Sequence, residues 1–185
     1  MSAGAVGRSM PGVVTLDDLA AMIAADAYGH RYETSPDGTL FVVPPPDSEH
    51  AVIATRLMAW LIAAGIALEQ IMQVAGIRIP GPDGDGGQIP DLTVWARPQP
   101  RAVWLDVTDL LLVVEIVSQG SEAIDRFAKV AEYAAAGIPR YWVVARDAAQ
   151  TVTMHTLVGG GTYEVVAKAP LSWVLQTRPD EHGIG

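Results

Sequence analysis

The sequence predicts an α/β fold in which a mixed central β-sheet is flanked by helices, and three observations carry that reading. Helix-like and strand-like segments alternate in the order helix, hairpin, helix, several strands, helix, strands. The run Leu110-Leu-Leu-Val-Val-Glu-Ile-Val117 is apolar at every position but one, as in a central strand buried on both faces. Residues 110–145 read as strand–helix–strand, which makes the two strands parallel neighbours joined by a right-handed crossover.

The elements follow in order. Thr15-Leu-Asp-Asp18 is a helix start, with a hydroxyl N-cap and an acid three residues on, and the helix runs on through 20–27. Residues 32–34 and 40–43 flank the turn Ser35-Pro-Asp-Gly38 and form a hairpin that Pro44-Pro-Pro46 ends. Asp47 or Ser48 caps a second helix, in which Ile53, Leu57, Trp60, Leu61 and Ala64 recur at helical spacing. Strands are expected at 71–79, 91–96 and 110–117, with the Gly- and Asp-rich stretch 80–88 as a loop. A segment holding Pro98 and Pro100 joins the last two of these strands. A third helix runs from a cap at Ser121 to about Ala136 and stops at Gly137 and Pro139. Strands follow at 141–145, 152–157 and 163–167, and 171–175 reads as one more. Residues 13–177 are read as one domain, 1–12 as a flexible N-terminal tail and 178–185 as a loose C-terminal tail.

Composition narrows the function. Half of the residues are hydrophobic and 18% are charged, which fits a folded chain with a real core. There is no cysteine, which excludes disulfides, thiolate zinc sites and cysteine nucleophiles and leaves a cytoplasmic location as the expectation. The longest apolar stretch, 57–68, is bounded by Arg56 and Glu69 and falls short of the roughly 18–20 residues of a membrane span. The start of the chain lacks the apolar core of a signal peptide. The formal net charge of −9 opposes unaided nucleic-acid binding, because phosphate contacts normally come from a basic excess. A divalent cation bridging acidic groups to phosphate would answer that objection.

Glu115 carries the most chemical information. An ionised carboxylate inside an apolar strand is costly unless a cation, a metal or a cleft meets it. The bland alternative is a structural ion pair. Asp91, after Pro90 at the head of Leu92-Thr-Val-Trp95, is by itself an ordinary loop-to-strand residue. Side by side, however, the strands of Asp91 and Glu115 would bring two carboxylates towards one hard cation. Lys129 stands four residues after Asp125, which suits an exposed ion pair. A helical wheel through Phe127, Val130, Tyr133 and Ala134 puts it at the border of the apolar face, whereas one through Ala128, Ala131 and Ala135 turns it outward. The Gly81-Pro-Asp-Gly-Asp-Gly-Gly87 stretch lacks the ligand spacing of a calcium loop and reads as a loop tip. His155 reads as a solvent-facing strand residue, His30 and His182 have no partners at metal-ligand spacing, and the scattered tryptophans read as packing residues.

The motifs Gln88-Ile-Pro-Asp-Leu-Thr-Val94, Leu111-Leu-Val-Val-Glu-Ile-Val-Ser118, Asp125–Lys129–Tyr133 and Ala136-Gly-Ile-Pro-Arg-Tyr-Trp-Val143 resemble, in that order, the Uma family of restriction endonucleases within the PD-(D/E)XK superfamily. Arg31-Tyr-Glu33, Asp37-Gly38 and the approach from Pro46 to His50 extend the resemblance, which spans roughly residues 32–157. It implies a restriction-endonuclease-like core and a metal-dependent endonuclease acting on DNA. By that resemblance Asp91 and Glu115 hold Mg2+ or Mn2+ with the carbonyl of Ile116, and Lys129 orients the attacking water in place of the lysine that Val117 lacks. Glu33 and His50 are possible additional site residues. Nucleic acid is the implied partner, and a homodimer the expected assembly. Ser118-Gln-Gly-Ser121 lacks a proline common in the family, and Arg140 replaces a common acid.

Overall fold

Helix α1 (Leu16–Ala25) begins where the Thr15 signal places it: the Thr15 hydroxyl accepts from the Asp18 N–H, and the Asp18 carboxylate accepts from the Thr15 N–H. The structure is a computed structural model and describes residues 14–43, 45–82, 84–117 and 128–185. The hairpin of β1 (Arg31–Thr34) and β2 (Leu40–Val43) is also as expected, with Tyr32 opposite Val42. Asp47, rather than Ser48, caps α2 (Ser48–Ala63) by accepting the His50 N–H. Ile53, Leu57, Trp60 and Leu61 of α2 are buried, while Ala64 is the exposed C-cap residue.

The fold is mixed α/β, as expected, but the described strands form two mixed sheets rather than one. The stretch 71–79 does not run as a single strand. It divides into β3 (Ile71–Gln73) and β4 (Gly76–Ile79), which belong to different sheets, and the break lies at Val74, whose φ is 55°. The expected loop 80–88 ends in a further strand, β5 (Gly86–Gln88). Its glycines carry no hydropathy signal, and the reason for them is steric. A Cβ on Gly87 would lie 2.8 Å from side-chain atoms of both Leu16 and Leu19, so α1 packs directly on this backbone. Strand β7 (Trp104–Asp106), short and just beyond Pro98 and Pro100, pairs in parallel with β4.

The first sheet runs β2-β1-β5-β4-β7. The second contains β6 (Leu92–Trp95), β8 (Leu110–Ile116), β9 (Arg140–Val144), β10 (Thr151–Val158) and β11 (Thr162–Pro170), in the order β11-β10-β9-β8-β6-β3. The β8–β9 pair is parallel, as the strand–helix–strand unit requires. Between them lies α3 (Lys129–Ala135), ended by Gly137 at φ 78°. The expected cap at Ser121, together with Asp125 and Phe127, lies outside the described residues, as does the N-terminal segment 1–12. Among the described residues, no helix is long and apolar enough to cross a membrane.

Two corrections fall near the C-terminus. The segment expected as a last strand is a short helix, α4 (Leu171–Val174), too short to show helical periodicity. The stretch after Thr177 is folded: a 3-10 turn at Pro179–His182 seats Ile184 in the core, and the His182 ring meets Trp60, Trp142 and Trp173.

The second sheet is apolar on both faces. Leu112, Val114 and Ile116 face a core built with α2, Trp142 and α4, while Val113 and Val117 face a second core with Ile77, Tyr133, Ile138 and Tyr141. Alternation along β8 therefore aims Glu115 into the second core. His155, expected at the solvent, is buried, because β10 is an interior strand; its ring stacks on Tyr141 and its Nδ1 lies 3.1 Å from the Tyr141 carbonyl.

Close approach of α1 to β5 leaves no space for a side chain at Gly87. Gly87→Val is expected to destabilise the fold by about 1–3 kcal/mol, as overpacking does, read as a lower midpoint in chemical denaturation. An unchanged midpoint would contradict the packing described.

Candidate active site

The three residues singled out by sequence meet in one buried polar cluster, together with both additional candidates. Glu33, His50, Asp91, Glu115 and Lys129 are 2%, 6%, 3%, 4% and 4% exposed, so none of the five is an ordinary surface charge. The cluster sits where residues 89–91 carry the chain from β5 in one sheet to β6 in the other.

Strand register accounts for the two acids. β6 and β8 are antiparallel with Leu92 opposite Val114, so one step outward sets Asp91 across from Glu115, and directly opposed side chains share a face. The backbone ties them further, since the Ile116 N–H donates to Asp91 Oδ2 at 2.8 Å. Asp91 Oδ2 also lies 2.9 Å from His50 Nε2, and Asp91 Oδ1 accepts from Arg31 Nη1 at 3.0 Å. An ionised carboxylate only accepts, so His50 must carry its proton on Nε2. The Asp47 cap holds His50 in the first turn of α2, which aims the ring at Asp91.

Lys129 resolves the ambiguity between helical wheels. It is buried with Tyr133 and Ala134 on the inner face of α3, while Ala131 and Ala135 are exposed. Its ammonium donates to Glu115 Oε1 at 2.8 Å and to Glu33 Oε2 at 3.0 Å, bridging acids from the two sheets. The Tyr133 hydroxyl, one helical turn on, donates to the same Glu115 oxygen at 2.9 Å. Glu33 is fixed at its other oxygen by the Ile89 N–H at 3.0 Å.

Four participants were not chosen as site residues from sequence: Arg31, Gln88, Glu132 and Tyr133. Simple periodicities would have found three of them. Arg31 and Glu33 are two apart on β1 and share a face, while Glu132 and Tyr133 are three and four residues beyond Lys129. Gln88, 1% exposed, offers no such pattern; its amide donates to Glu132 Oε2 at 3.1 Å, and its Oε1 is buried without a partner among the described residues.

Electrostatics follow from burial set against these partners. Burial raises the Asp91 carboxyl, but the His50 hydrogen bond, the charges of His50 and Arg31, and the Ile116 N–H together hold it below the usual carboxylate range. Burial pushes the Tyr133 phenol well above its ordinary value, reinforced by the Glu115 and Glu33 charges, so it stays protonated as a donor. Half-buried Glu132 is pushed up to about 7: burial dominates, Lys129 opposes, and the charges of Asp37 and Glu33 add to the rise. Glu132 also lines an open pocket of about 310 Å³ between the turn at Ser35 and Asp37, the loop at Pro80 and Pro82, and α3.

For a hard divalent cation the donors fit in kind. Asp91 and Glu115 offer carboxylate oxygens next to the backbone of Ile116, an oxygen-rich set such ions prefer. Among the described residues, no group of three His, Asp or Glu side chains converges closely enough to hold a metal ion. Each acid is instead paired with a protein cation, Asp91 with Arg31, Glu115 and Glu33 with Lys129, and Asp91 also meets the His50 ring. Holding a divalent ion requires at least one of these pairs to loosen.

The raised Glu132 gives a signed pH dependence. Folded, it titrates near 7; unfolded, near its ordinary 4.5, so between those values the folded chain holds the extra proton and stability falls as pH rises. Glu132→Gln is therefore expected to raise the unfolding free energy more at about pH 8 than at about pH 5, by roughly 1 kcal/mol once partial exposure is allowed for, read by chemical denaturation. An equal gain at both pH values would show that Glu132 is not held protonated.

Comparison with known proteins agrees with the fold. Among solved structures, one similar chain is described as "a putative nuclease belonging to DUF820" from Anabaena variabilis. It superposes with a TM-score of 0.59 at 18% identity, over 82% of this chain and 83% of that one. No curated protein matches. The model of the Uma2 family, described as "Putative restriction endonuclease", matches residues 16–184, nearly the whole of the two sheets and the cluster between them. The chain belongs to the Uma2 family.

Proposed function

We propose that the protein is a metal-dependent endonuclease that hydrolyses phosphodiester bonds of DNA. Asp91, Glu115 and the Ile116 carbonyl hold Mg2+ or Mn2+, and Lys129 orients the attacking water. One observation supports this above all. Two acids on facing strand ends are linked through Ile116, and a helical amine 2.8 Å from one of them completes the buried group.

A bound divalent ion would acidify a water and offset charge on the scissile phosphate. The rest falls to the chain. Lys129, held between Glu115 and Glu33, presents a fixed positive charge to stabilise developing negative charge. His50 orients Asp91, and Tyr133 orients Glu115, so neither acid is free to rotate. Charge counting is consistent with an anionic substrate. Leaving His50 out of the count, Glu33, Asp91 and Glu115 exceed Arg31 and Lys129 by one formal negative charge. A divalent ion would turn that into one positive charge, which a single phosphodiester would neutralise. The overall charge of −9 then sets a requirement for the ion rather than a bar to DNA.

A second reading, a nuclease-fold module that binds or assembles without catalysis, is favoured by one fact: each of the three acids is already paired with a protein cation, Asp91 with Arg31, and Glu115 and Glu33 with the shared Lys129. Calorimetric titration with Mn2+ separates the two, because a site lost in Asp91→Ala counts against a vestigial cluster.

Contaminant-free protein is expected to cut DNA in Mg2+ or Mn2+. Glu115→Gln should abolish cleavage, and Lys129→Met should slow it by about 10²–10³, the usual loss for one charge-stabilising donor. Absence of cleavage of diverse DNA and RNA with either ion would refute the enzymatic reading.

A further inference from the structure

Among the described residues of the cluster, Arg31 is the one cation with a buried donor left unpaired; the other unpartnered buried atom is the Gln88 Oε1 acceptor. Both hydrogen bonds of Arg31 to described residues use Nη1, at 3.0 Å to Asp91 Oδ1 and 3.3 Å to the Ile89 carbonyl. Its Nε is buried with no partner among the described residues. A guanidinium is built to bind with two parallel N–H groups, and here it meets a carboxylate with one. Buried unpaired donors are uncommon enough to call for a reason.

Position adds a second clue. The Arg31 side chain is 16% exposed and that of Asp91 3%, so Arg31 is the partner of the pair that reaches solvent. Arg31 lies on β1 of the first sheet and Asp91 just ahead of β6 of the second, joined by this single contact, whereas Asp91 Oδ2 is secured by both Ile116 and His50. Loss of the Arg31 bond would leave Asp91 oriented and free one oxygen, Oδ1. Burial opposes ionisation of Arg31, but the charge and hydrogen bond of Asp91, together with the charges of Glu33 and Glu115, outweigh it, so the guanidinium stays charged.

We propose that Arg31 is an exchangeable partner of Asp91: it caps Oδ1 in the resting protein, and turns its guanidinium fork to a phosphodiester oxygen pair when Oδ1 is engaged by a divalent cation. This rests on the nuclease reading above and assigns the phosphate-binding residue of that site. No covalent bond changes in the exchange. A carboxylate–guanidinium pair is traded for a carboxylate–metal and a guanidinium–phosphate pair, and the idle Nε–H gains its acceptor.

The test uses the full chain and two probes, Mn2+ alone by calorimetry and a short DNA duplex in Ca2+ by fluorescence anisotropy. Arg31→Met is expected to bind Mn2+ several-fold more tightly than the parent and the duplex about tenfold more weakly. A purely structural Arg31 would lower both affinities together. Arg31→Lys keeps the charge and loses the fork, so Mn2+ affinity should stay within about twofold while duplex affinity falls about fivefold. This variant decides the matter should Arg31→Met fail to fold. Unchanged duplex binding in either variant, or weaker Mn2+ binding in Arg31→Met, overturns the proposal, as does absence of Mn2+ binding in both parent and variant. Neither readout involves cleavage, so a parent that binds both probes but cuts nothing would refute the hydrolytic reading and leave the exchange standing.

Discussion

The ion pair between Glu115 and Lys129 governs the arrangement of everything around it. Glu115 takes a position on β8 that alternation assigns to the second core, between Val113 and Val117. Breaking such a buried pair by removing one partner costs about 3–5 kcal/mol, because the remaining charge is stranded. The fold must therefore bring a cation to that point. It does so with α3, whose inner face carries Lys129 one turn before Tyr133, and both donate to the same oxygen. The same ammonium reaches Glu33 on the first sheet, so one amine fastens the two sheets together at the cluster.

Well-packed apolar residues would serve stability as well or better than a buried group of charges. A cluster kept at that cost is a candidate for chemistry, and each member is held by a second group: Asp91 by Ile116 and His50, Glu115 by Tyr133, Glu33 by Ile89. Arg31, with its idle Nε, departs from that pattern at the outer edge of the cluster.

The site was more legible in the sequence than the sheet arrangement, for physical reasons. A lone acid in a continuous apolar strand is a conspicuous energetic anomaly, which is why Glu115 stood out, and Asp91 followed from its neighbouring strand. Lys129 could not be placed by periodicity, since alanines on both sides of α3 make two wheels equally plausible; only the acids it neutralises decide its side. Short-range patterns hid the division into two sheets. Nothing in Ile71–Gln73 and Gly76–Ile79 distinguishes one strand from two, because the break depends on the backbone of Val74. β5 was unreadable, since Gly87 lets α1 approach and Gly86 lets the backbone of residues 34–36 pass close by, neither of which leaves a hydropathy signal. The Ile184 anchor was missed because one apolar residue in a polar tail has no periodicity to report.

The central claim is that the carboxylates of Asp91 and Glu115 jointly receive a divalent cation. A crystal soaked in Mn2+ and measured at the manganese absorption edge tests it directly. The account predicts an anomalous peak within coordination distance of both carboxylates, with Asp91 Oδ1 no longer paired to Arg31. A peak elsewhere, such as beside Asp37 and Glu132, or no peak with both ion pairs intact, would contradict it.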